Sequence, residues 1–186
     1  MLIVLFMSVL KVGINCVIHS VAAIGAEGFV FFPTFSRWLR IKQFGLTILE
    51  DGVEVGCNIR IDLPAVGKTR IGHNTKIDNL VQVGDGCKIV ASCAIAAQSE
   101  IAGGVKRRNR VTLAGHSGIG SQSKICDGAT TTAKAGVHSG ISSGELLCGS
   151  PAMPSYKRHL KEFAILNRLP ETYQSVRKLQ RSSCIF

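Results

Sequence analysis

Thr69-Arg70-Ile71-Gly72-His73-Asn74-Thr75-Lys76-Ile77-Asp78-Asn79-Leu80-Val81-Gln82-Val83-Gly84 sets the period of this chain. Its aliphatic residues Ile71, Ile77 and Val83 stand six apart. The spacing runs on through Ile89, Ile95, Ile101, Leu113, Ile119, Ile125 and Val137, interrupted only by Arg107 and Thr131. A second restricted slot recurs at the same period, four positions beyond each of these. From Thr69 to Ala135 it holds only Thr, Val, Cys, Ser or Ala. Helices repeat near 3.6 residues and strands near 2, so neither alone gives a strict six. Two inward slots at a period of six are the pattern of a hexapeptide parallel β-helix. The fold class expected is an all-β solenoid with a C-terminal α-helical extension.

Upstream, two earlier registers of the same pattern appear, Val12-Ile18-Ile24 and Leu49-Val55-Ile61. The breaks between registers read as loops at 26–47 and 62–70. The apolar Met1–Leu10 reads as a solenoid strand, being too short to span a bilayer and lacking a secretory cleavage pattern. Arg107, with Lys106, Arg108 and Arg110 beside it, predicts a strand that bulges outward, because an unpaired charge inside a coil is costly. The solenoid is expected over 1–150 and the extension over 151–186. In the extension, Tyr156, Leu160, Phe163 and Ala164 share one helical face, and Pro170 fits the first turn of a second helix.

The totals narrow the function. The 186 residues carry a net charge of +10, and about half of that excess lies after residue 150. A basic tail suits an acidic protein, an anionic lipid or a nucleic acid, but no nucleic-acid module signature is present. The seven cysteines have no zinc spacing and read as thiols of a reducing compartment.

Several stretches together resemble the UDP-3-O-acylglucosamine N-acyltransferases of lipid A synthesis. They are Ile18-His19-Ser20, Ile24-Gly25-Ala26-Glu27-Gly28-Phe29, Lys76–Gly84, Ala96-Ala97-Gln98, Ile101-Ala102-Gly103-Gly104 and Gly149-Ser150-Pro151-Ala152-Met153-Pro154. The tail Lys161–Gln180 is similar to the C-terminal helices of cyanobacterial members. The resemblance implies a left-handed parallel β-helix, a homotrimer with grooves between subunits, and no metal or resident cofactor. It implies transfer of a 3-hydroxyacyl chain from an acyl carrier protein phosphopantetheine thioester to the 2-amino group of a UDP-linked acylglucosamine. Asp78, Asn79, Gln82, Phe29 and Gln98 match substrate-contact positions. Lys157, Arg158 and Lys161 are candidates for meeting the acidic carrier protein. A cytoplasmic location is expected, or a plastid or mitochondrion in a plant or alga, with at most peripheral membrane contact.

Two departures accompany the resemblance. The family carries an N-terminal uridine-binding domain, which this sequence begins too late to include. Its catalytic histidine follows the Lys76–Gly84 block, where this chain has Asp85. The attacking amine must lose a proton, and a base titrating near neutral pH takes it well. An ordinary carboxylate titrates near 4, about 2.5 units below histidine. A three-sided coil built from hexapeptides puts Gly67 and Gly103 directly above and below Asp85. His138 falls three coils away, about 14 Å at 4.8 Å per coil, and His73 and His116 fall on other faces. An inactive homologue serving as a trimeric scaffold or carrier-protein-binding module is the competing reading. An O-acyltransferase is a third, which the Lys76–Gly84 and Gly149–Pro154 blocks disfavour.

Overall fold

The computed structural model describes residues 5–6, 9–107, 109–150 and 153–183. The chain winds as a left-handed parallel β-helix with three flat faces. One face stacks Leu5–Phe6, Ala23–Glu27, Arg60–Leu63, Gln82–Val83, Glu100–Ile101, Gly118–Ile119 and Gly136–Val137. The second runs from Leu10–Val12 through Leu46–Leu49, Lys68–Ile71, Lys88–Ile89 and Lys106–Arg107 to Lys124–Ile125. The third runs from Val17–Ile18 to Leu146–Cys148 and ends on the antiparallel strand Met153–Pro154. Both inward slots are filled as the period requires. Ile71, Ile77, Val83, Ile89, Ile95, Ile101 and Leu113 are buried, and so are Thr69, Thr75, Cys87, Cys93, Ser99 and Ser117. Neighbouring coils supply both the apolar contacts and the backbone hydrogen bonds that no single coil provides.

The three registers join into one column. Val12 pairs with Leu49, Ile18 with Val55, and Ile24 with Ile61. A bulge between Ile24 and Ala26, with Gly25 at φ 78°, turns the chain out of the solenoid. The excursion that follows is partly ordered by the antiparallel hairpin Phe31–Pro33/Trp38–Arg40. The second excursion is shorter than 62–70, because Arg60–Leu63 and Lys68–Ile71 both lie in the ladder and only 64–67 leave it.

Three expectations are corrected. The strand Lys106–Arg107 does not bulge; it pairs in register with Lys88–Ile89 and Lys124–Ile125. Backbone hydrogen bonds such as Lys106 N to Ser123 O (3.0 Å) hold it whatever the side chain at 107. The extension is one helix, Tyr156–Ser183, with Pro170 inside it rather than opening a second helix. Proline costs an interior hydrogen bond, yet the turns on both sides still propagate. Gly67 does not lie above Asp85. Val83 pairs with Ile101 below it, as a uniform coil requires, but above it pairs with Ile61 and not with Ala65. The 64–67 excursion therefore brings the Asp62-Leu63 segment, not Gly67, to the coil above Asp85. Of the expected segments, residues 1–4, 7–8, 108, 151–152 and 184–186 lie outside the described residues.

Candidate active site

A groove of about 1000 Å³ runs along the first face where it turns into the second. Strands Ala23–Glu27, Arg60–Leu63, Gln82–Val83 and Glu100–Ile101 form its floor, and the excursion after Glu27 forms its wall. Two contacts hold that wall in place. The Gln43 side chain is buried and clamps Gly28, accepting from its N–H at 2.8 Å and donating to its carbonyl at 3.1 Å. Arg40 of the hairpin pairs with Glu27 at 2.9 Å. Phe29 and Phe31 pack with ring centroids 4.9 Å apart, and Phe29 is 91% exposed at the mouth.

The polar centre of the groove is Asp62, 7% exposed. Gln82 Nε2 donates to its Oδ2 at 2.9 Å, and Arg60 Nε donates to its Oδ1 at 3.3 Å. Burial pushes its carboxyl above the ordinary 3.8; the hydrogen bonds from Gln82 and Arg60 and the Arg60 charge oppose this, and the Asp85 charge adds to it. Asp85 stands on the turn after Gln82–Val83. Its carbonyl accepts from Gly104 N at 2.8 Å. A Cβ at Gly103 would lie 2.7 Å from Asp85 Oδ1, so glycine there leaves room for the carboxylate. A Cβ at Gly28 would meet Gln43 Nε2 at 3.3 Å, Asp85 Cβ at 3.4 Å and Asp62 Cβ at 3.5 Å.

Of the candidate residues, Phe29, Gln82 and Asp85 share this groove. Asp78 and Asn79 do not. They lie on the preceding corner, in a second groove of about 700 Å³ with His19, Glu54 and Lys76. There Asn79 donates to Asp78 Oδ1 and accepts from Cys57 N at 2.8 Å. Gln98 sits beside them, its N–H donating to the Asn79 carbonyl at 3.1 Å, and lines neither groove. Lys157, Arg158 and Lys161 are exposed on the helix, with Arg158 donating to Glu162 at 2.7 Å. His138 stacks near Gly120, on the groove's face but well beyond Asp85. Sequence reasoning missed Asp62 and Arg60 because it counted a uniform coil. Their signal was the placement of Ile61 in the same inward slot as Val83, which puts Arg60 beside Gln82.

No family model matches the chain. It is 57% identical over 160 residues to the UDP-3-O-acylglucosamine N-acyltransferase of Nostoc punctiforme, covering 86% of this chain and 45% of that protein. It is 53% identical over 160 residues to the protein of the same name from Synechococcus elongatus, with 86% and 45% covered. Among solved structures, the UDP-N-acetylglucosamine acyltransferase of Bacteroides fragilis superposes with a TM-score of 0.71 at 16% identity, covering 82% of this chain and 57% of that one. A mutant perosamine N-acetyltransferase of Caulobacter crescentus superposes with a TM-score of 0.60 at 20% identity, covering 76% and 57%. These two share the fold. Over the segment it has in common with the sequence matches, the chain is a relative of the UDP-3-O-acylglucosamine N-acyltransferases and spans about 45% of their length.

Proposed function

We propose that the groove at Asp85 is an acyl-transfer site. It takes a 3-hydroxyacyl thioester of acyl carrier protein and the 2-amino group of UDP-3-O-acylglucosamine, and yields the amide. The observation that carries this reading is the identity to N-acyltransferases across the strands that build the groove. The groove chemistry agrees with it. Carboxylates at its centre suit proton removal from an amine, and the exposed Phe29 with the half-buried Phe31 at its mouth suits an acyl chain.

We further propose that the chain works as a homotrimer in the cytoplasm and needs no metal. The Asp78-Asn79-Gln98 cluster and the Gln82-Asp85 cluster occupy different corners of one chain. A neighbouring subunit packed along the solenoid supplies one cluster to the other. The exposed cations Lys157, Arg158 and Lys161 offer an acidic carrier protein a complementary surface.

The test incubates the purified chain with 3-hydroxyacyl carrier protein and UDP-3-O-acylglucosamine and follows the amide by mass spectrometry. Product formation is expected. Asp85→His should raise turnover, because an imidazole there adds a base that titrates closer to neutral pH than a carboxylate does. Carrier-protein binding without product from either form overturns the enzyme reading in favour of a binding module.

A further inference from the structure

We propose that Asp62 is the proton acceptor for acyl transfer in this chain, with Asp85 as its charged neighbour across the gap left by Gly28. This rests on the groove being the acyl-transfer site.

The geometry singles out Asp62. It is the buried carboxylate of the groove and lies on the strand one coil above Gln82–Val83. Gln82 and Arg60 each engage one of its oxygens and fix the plane of the group. The virtual Cβ of Gly28 lies within 3.5 Å of the Cβ atoms of both Asp62 and Asp85, so the two side chains leave the backbone beside the same small space. Two neighbouring carboxylates disfavour joint ionisation, and the more buried one holds a proton more tightly. A carboxylate that holds its proton more tightly is the better base at neutral pH. The direction of the Asp62 shift, upward through burial, agrees. The other charged groups around it are Arg60 on its own strand, Glu27 on the preceding coil (already paired with Arg40) and Glu100 on the groove floor.

The chemistry balances without a further reactant. The amine nitrogen attacks the thioester carbonyl carbon, and the C–N bond forms. The ammonium proton passes from nitrogen to the Asp62 carboxylate. The C–S bond breaks, and the leaving thiolate takes that proton to become a thiol. The carboxylate is regenerated.

The test compares the full chain with Asp62→Asn, Asp62→Glu and Asp85→Asn, using the acyl carrier protein thioester and UDP-3-O-acylglucosamine. Asp62→Asn should lower kcat by about 10²- to 10⁴-fold, the usual contribution of a general base, with KM changed only a few-fold. It should also remove the acidic limb of the kcat/KM profile. Asp62→Glu, which keeps a carboxylate, should restore part of the rate and the limb. Asp85→Asn should keep a limb but move it to lower pH, because a neighbouring negative charge is gone. A carbon-13 titration of aspartate carboxyls in folded wild type and Asp85→Asn reads the same coupling without turnover. One high-titrating carboxyl should fall in the variant, and its staying put overturns the pair. Wild-type transfer that survives Asp62→Asn with its acidic limb intact overturns the assignment and leaves the proposed function standing. No wild-type transfer overturns the proposed function, and the assignment with it.

Discussion

Asp62 links acidity to stability as well as to chemistry. Its folded-state carboxyl titrates above its ordinary value of 3.8, so between those two values the native state binds more protons than the unfolded one. Stability therefore falls as pH rises through that window, and the penalty is complete once pH exceeds the raised value. Below 3.8 both states are protonated and the penalty is absent. Asp62→Asn removes the titration. Denaturant unfolding of the two proteins should show the variant gaining on wild type as pH rises from acid to neutral, by about 1.4 kcal/mol for each pH unit that separates the folded and unfolded titrations. A difference that is flat with pH would show that Asp62 titrates alike in both states. This site was half legible in the sequence. Asp85 was visible because it follows Gln82-Val83-Gly84. Asp62 was read into a loop, since a six-residue pattern does not show which strand an excursion returns to.

Along each coil runs a third regular position that the sequence does not display. Asn74, Leu80, Gly86, Ser92, Gln98, Gly104, Arg110, His116, Gln122, Gly128 and Lys134 all have positive φ, each six positions after the last. L-residues other than glycine adopt this conformation at a cost. Most of these positions are not glycine, so stacking on neighbouring coils imposes the corner rather than residue choice. Gln98 and His116, which invite a chemical role by type, are corner residues of this series. The second face carries another ladder. Lys88, Lys106 and Lys124 are stacked in register on successive strands, and none forms an ion pair among the described residues. Like charges directly opposite destabilise a sheet, and salt screens them. Lys106→Glu should therefore raise the thermal midpoint at low salt through a gain of about 1 kcal/mol, and added salt should erase the gain. A midpoint unchanged by the substitution at low salt would mean the lysines already diverge into solvent.

The whole molecule is a column whose stability is shared between adjacent coils. Leu113 is fully buried in a central coil and belongs to the apolar core that runs along the axis. Leu113→Ala should cost about 2–5 kcal/mol, because the coils above and below cannot close the cavity without breaking their own ladder. The shift of the urea midpoint measures it, and a loss well under about 1 kcal/mol would show that the column relaxes freely there. The helix Tyr156–Ser183 follows the column and touches its end at Leu146–Cys148 and Met153–Pro154. Leu160, Phe163, Leu166, Leu169 and Tyr173 are about half exposed along it, and none of the described helices is long and apolar enough to cross a membrane.

The order of amino acids was enough to specify the solenoid, its inward slots and the column of Ile and Val. A period of six in burial is a local constraint that each residue meets in its own position. Which residues meet across coils was decided only in the folded column. There the coil from Ile61 to Val83 is longer than the regular coils that follow it, so the Asp62-Leu63 segment comes above Asp85 where Gly67 was expected. There too Lys106–Arg107 stays in register and the extension runs as one helix. These outcomes depend on backbone pairing between coils and on excursions of unequal length. The order of residue types along the chain does not record either one.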